Sequence, residues 1–69
     1  MREHEQLRLM AEIYVDADKL RRQAVVENEA EAARIFLKTS VSISKVAFDK
    51  GHSLDDFLAE VNQYEEESK

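Results

Sequence analysis

The apolar positions of the chain repeat most plainly near its end, where Leu54, Phe57, Leu58, Val61 and Tyr64 recur at i, i+3, i+4 and i+7 spacing. That spacing lines one face of an α-helix. The intervening positions, including Asp55, Glu60, Asn62 and Gln63, are polar. Ser53 stands where an N-cap belongs, Asp56 follows at N3, and Asp55 and Asp56 place negative charge on the positive end of the helix dipole. The pattern predicts a helix over 54–66, with residues 65–69 fraying. Gly51, the only glycine in a chain without proline, marks the stop of the preceding element, because glycine accepts the left-handed conformation that closes a helix C-terminus.

Residues 16–38 are built largely from Ala, Glu, Lys, Arg, Leu and Gln, the residues of highest helix propensity. Asn28 is the one plausible interruption. With Glu31 three positions later it resembles the N-cap of a capping box, which divides the region into helices over 3–27 and 29–50. In the second, Phe36, Ser40, Ile43 and Ala47 share a face, flanked by Leu37, Val41, Ser44 and Phe48. Ser40, Ser42 and Ser44 alternate with the β-branched Val41 and Ile43, so a short extended break is a competing reading there.

The stretch LRLMAEIYV, residues 7–15, carries two signals. Leu7, Leu9, Ala11, Ile13 and Val15 occupy every second position, the period of a half-buried strand. Against this, Met10 and Tyr14 interrupt the polar face. Arg8, Glu12, Asp16, Lys19, Gln23 and Glu27 form a polar stripe at helical spacing that runs through and beyond the segment. Arg8 and Glu12 also make an i, i+4 pair of opposite charge. Helix is the stronger reading, although Asp18, Arg21 and Arg22 lie close to its apolar positions. The expected fold is therefore all-α: a small helical bundle, or a long helical hairpin plus a short C-terminal helix, in one domain over 1–69.

Length changes the picture. A chain of 69 residues buries only about 60% of the surface it exposes when unfolded. Cysteine is absent, which removes disulfides and thiolate metal sites as supports. Self-association is the remaining route, and a dimer is expected. MREHEQ lacks the apolar segment of a secretory signal, and apolar runs are short, so a soluble, cytoplasmic protein is expected.

The net charge of −5 is unevenly placed. Acids and bases balance over 1–26 and again over 27–52. The last seventeen residues set Asp55, Asp56, Glu60, Glu65, Glu66 and Glu67 against Lys69 alone. Such a chain is poorly suited to nonspecific phosphate binding, which needs clustered Lys and Arg.

Catalytic chemistry has few footholds. One glycine cannot build a phosphate-cradling loop, and His4-Glu5 lacks the second histidine of a zincin helix, since position 8 is Arg8. His4 and His52 have no cysteine to complete a metal site. Asp16 and Asp18 lack the glycine and distal glutamate of a calcium loop. Ser40, Ser42 and Ser44 could accept phosphate, but small residues in helix packing explain them more simply. No catalytic residue, cofactor or metal is expected.

Two functions follow. The first is a non-enzymatic protein–protein interaction module, regulatory or scaffolding, acting as a small helical homo-oligomer. Leu54, Phe57, Leu58, Val61 and Tyr64 would enter a partner's groove while the acidic flank meets a basic surface. The second takes LRLMAEIYV as a strand. Residues 7–50 then resemble, in the order of their elements, a ribbon-helix-helix DNA-binding dimer of the antitoxin type, and the acidic C-terminal helix would bind a basic partner. That resemblance implies a strand paired across the dimer with Arg8, Met10, Glu12 and Tyr14 turned to the major groove. Glu12 would repel phosphates there, Glu29 and Glu31 would occupy a phosphate-binding helix start, and no glycine separates the two helices. The first reading is preferred, with no membrane and no nucleic acid expected as partners.

Overall fold

The computed structural model describes residues 2–68. Among them the chain forms three helices, α1 (Glu3–Val26), α2 (Ala30–Asp49) and α3 (Leu54–Glu67), as an all-α fold. The strand over residues 7–15, and with it the ribbon-helix-helix arrangement, is not formed. LRLMAEIYV lies inside α1, and its alternation is two helical stripes laid over each other. Leu7, Ala11 and Val15, four apart, are buried with Met10, whereas Leu9 and Ile13, also four apart, stay exposed. A period of two and a pair of i, i+4 rows give the same alternation, and the polar stripe together with Met10 and Tyr14 distinguishes them.

Both connections close in the same way. After α1, Asn28 takes a positive φ of 62°; its N–H donates to the Val25 carbonyl at 3.1 Å and the Glu29 N–H to Ala24 at 2.8 Å. After α2, Gly51 takes φ 94°, with its N–H on the Phe48 carbonyl at 3.0 Å and the His52 N–H on Ala47 at 3.1 Å. Each is a Schellman motif. Asn28 therefore ends α1 rather than capping α2. The N-cap of α2 is Glu29, which makes no side-chain cap bond, so the capping box with Glu31 is not formed. Reversing the chain in so few residues demands a left-handed position, and asparagine is the residue after glycine that tolerates it. The Ser53 cap is formed: its hydroxyl accepts the Asp56 N–H at 3.1 Å.

The short first connection lays α2 back along α1, and the seam between them is made of small residues. Ala17 and Ala24 of α1 and Ser40 and Ala47 of α2 are buried, which lets the two backbones approach closely. The helix passes unbroken through Ser40, Ser42 and Ser44. Ser40 Oγ donates to the Leu37 carbonyl and Ser44 Oγ to the Val41 carbonyl, both at 2.8 Å, so these hydroxyls are satisfied within the helix instead of opening it. Asp18, placed near apolar positions in the sequence, is accommodated by ion pairs to Arg21 and Arg22, each at 2.9 Å.

The third helix packs mainly on α1 and touches α2 little. Its Phe57, the largest fully buried side chain, meets Tyr14 of α1 at 5.4 Å and Phe48 of α2 at 5.9 Å, both edge to face. Leu7, Met10, Ala11, Val15, Ala47 and Val61 complete this core. α3 therefore seals one end of the hairpin and leaves the other end a two-helix structure. The outline is elongated, 38 × 27 × 20 Å, with a radius of gyration of 12.5 Å against about 11 Å for a compact domain of this length.

The two left-handed positions give opposite expectations. An added Cβ at Gly51 meets nothing, so Gly51→Ala costs only the backbone strain, about 1–2 kcal/mol. Asn28→Gly relieves strain and raises stability by about 0.5 kcal/mol. Urea unfolding of the two variants beside the wild type measures both.

Candidate interaction surface

The five apolar residues of α3 divide between two roles. Phe57 and Val61 are buried in the chain's own core, and Tyr64 is half-buried against it. Leu54 and Leu58 remain exposed, at 57% and 43%. Helical spacing places these two on the flank of α3 opposite Glu60. The same flank carries Glu65, and Asp55 stands beside it in the first turn, whereas Asp56 falls on the Glu60 side.

Glu60 is on the other flank, and the pattern that marks it polar misplaces it: it is buried. Its carboxylate lies 3.5 Å from Arg8 Nη1 and 3.6 Å from His4 Nδ1. Arg8 also pairs with Glu12 at 3.8 Å and with Glu67, and its guanidinium stands 5.5 Å over the Tyr64 ring. One arginine on α1 thus collects two carboxylates and an aromatic ring from α3. The expected i, i+4 partner Glu12 is the only one of these legible in the sequence; the rest come from residues more than fifty positions away. The C-terminal stretch is helical through Glu67, held by Arg8 and by Ser68, whose hydroxyl donates to the Tyr64 carbonyl at 2.9 Å. Lys69 lies outside the described residues.

Tyr64 joins α3 to α1 a second time. Its hydroxyl donates to Asp16 at 3.1 Å. Among the described residues, no group of three or more His, Cys, Asp or Glu side chains is placed to hold a metal ion. Nor, among those residues, is any helix long and apolar enough to cross a membrane. A recess of about 380 Å³ lined by His4, Glu5, Arg8, Leu9, Glu60 and Gln63 lies beside the Arg8 network, whose cation is already matched by carboxylates.

Elsewhere the surface is unusually apolar. Phe48 contacts α3 through Phe57, which identifies the flank of α2 that carries Leu37, Val41 and Phe48 as the one on the α3 side. All three are exposed, as are Leu54 and Leu58. On the opposite flank of α2, Ile35, Lys38, Thr39, Ser42, Ile43 and Val46 line a shallow groove of about 400 Å³. Compared with protein-family models, curated proteins and solved structures, the chain matches none.

The Tyr64–Asp16 bond has a pH consequence. A phenol donating to a carboxylate loses that bond on ionising, and the neighbouring charge opposes a second anion; burial adds to both, so Tyr64 ionises above its ordinary value of 10.0. A group whose pKa rises on folding stabilises the fold below its unfolded pKa, and that contribution disappears as pH rises through the folded value. The α3–α1 contact should therefore weaken only in alkali beyond about pH 10. A tyrosinate absorbance titration of a Tyr14→Phe chain reads Tyr64 alone. Asp16→Asn should return its midpoint towards the ordinary value.

Proposed function

We propose that the chain is a non-enzymatic protein–protein interaction module, regulatory or scaffolding, that works as a small helical homo-oligomer and docks a partner with a basic surface through α3. The observation that carries this reading is the divided face of α3. Phe57 and Val61 anchor the helix in the core, while Leu54 and Leu58 stay outside beside an acidic margin. A helix fixed from beneath loses little freedom on binding, so two exposed leucines on it form a preorganised apolar contact. Asp55 and Glu65 beside them would steer a basic partner and exclude an acidic one. Leu37, Val41 and Phe48 on the neighbouring flank of α2 extend the apolar area beyond α3.

A Leu54→Asp/Leu58→Asp chain tests this. Neither side chain supports the core, so helicity and melting temperature should stay near wild type, while proteins that co-purify with the wild-type chain are lost. Quantitative comparison of the co-purified sets decides the matter. An unchanged set with the fold intact would overturn the reading.

A further inference from the structure

The face of the α1–α2 hairpin turned away from α3 is bare and apolar. Ile13 and Leu20 lie on one stripe of α1 by helical spacing, on the flank opposite the His4 and Arg8 side that meets α3, and Leu9 stands at the margin of that stripe, where it also lines the recess beside Arg8 and Glu60. All three are exposed. Beside them on α2 run Ile35, Thr39, Ser42 and Val46, on the flank opposite the one that Phe48 shares with α3. Ile35 and Val46 are likewise exposed. The bulky side chains of α1 make a ridge. The small Thr39 and Ser42 make the floor of the groove on α2.

We infer that this face is where a second copy of the chain docks, with α1 of each copy lying antiparallel against α2 of the other, so that the two hairpins close a four-helix core and both α3 helices stay outside. This rests on the homo-oligomeric part of the function proposed above and names its surface. Three observations support it. Ridge and groove sit on one face, so a twofold axis along the hairpin sets each copy's ridge over the other's groove, which is the self-complementarity an isologous dimer requires. The charges at the two edges match across the same axis. Glu5, Glu12 and Asp16 share the outer edge of α1, where Glu12 and Asp16 also hold Arg8 and the Tyr64 hydroxyl, whereas Arg34, Lys38 and Lys45 share the outer edge of α2 and none of the three makes an ion pair among the described residues. The surface area is also in excess. The chain exposes 5071 Å², about 600 Å² more than a compact monomer of its mass, and a standard interface takes about 800 Å² from each partner.

Sedimentation equilibrium of the wild-type chain at micromolar concentration should give about twice the 8.0 kDa chain mass. Ile13→Asp/Val46→Asp should weaken association by about 100-fold or more with the far-ultraviolet helical spectrum retained. Leu54→Asp/Leu58→Asp should leave the mass doubled. Charge exchange tests the orientation. A Lys38→Glu/Lys45→Glu chain and a Glu5→Lys/Glu12→Lys chain should each self-associate less than wild type, and the two mixed should form a heterodimer. A wild-type monomer would overturn both this inference and the homo-oligomeric part of the proposed function, while partner docking on Leu54 and Leu58 would keep its own test. A dimer indifferent to Ile13→Asp/Val46→Asp, or one dissolved by Leu54→Asp/Leu58→Asp, would overturn this face alone.

Discussion

The Phe57 side chain is the point at which all three helices meet. Its ring is fully enclosed and meets both Tyr14 and Phe48, and among the described residues no other large side chain is buried to the same degree. Aromatic pairs in edge-to-face geometry add about 0.5–1.5 kcal/mol beyond the area they bury. In a chain with so small a core that increment matters. Without Phe57 the third helix would retain the small buried Val61, and the Arg8 ion pairs and the Tyr64–Asp16 bond, which are partly exposed and individually weak.

That dependence organises the rest of the molecule. Because the α1–α2 seam is lined by alanine and serine, the hairpin is close-packed but buries little apolar area per residue. Most large apolar side chains have nowhere to go inside it, and they emerge on two faces: one shared by α2 and α3, the other on the back of the hairpin. A monomeric protein rarely exposes apolar area on this scale unless the area has a use. The distribution of charge follows the same division. Acids crowd α3 and the outer edge of α1, and bases without an ion pair among the described residues line the outer edge of α2.

The helices were legible because their ends are written in local chemistry. Ser53 and Gly51 mark the start of α3 and the end of α2 through the backbone conformations they permit. Asn28 marks a boundary for a different reason from the one its neighbours suggest: a left-handed residue and an N-cap both favour asparagine, so the residue type locates the break without identifying the cap. LRLMAEIYV was readable as a helix through the polar stripe that crosses it, the Arg8–Glu12 pair, and the interruption of the strand's polar face by Met10 and Tyr14. The division of α3's apolar face was not legible, since Leu54 and Phe57 look alike in the pattern and differ only in what lies opposite them. The Arg8 network was invisible for the same reason: Glu60 and Glu67 reach it through tertiary packing alone.

If Phe57 holds the three helices together, its removal should be felt in α3 first and in the hairpin as well. Native-state amide hydrogen exchange of a Phe57→Ala chain measures this helix by helix. The expected result is a loss of about 3–5 kcal/mol in global stability, with α3 amides falling to the exchange rates of an unstructured chain before those of α1 and α2. A chain that loses less than about 1 kcal/mol and keeps wild-type protection in α3 would contradict the account.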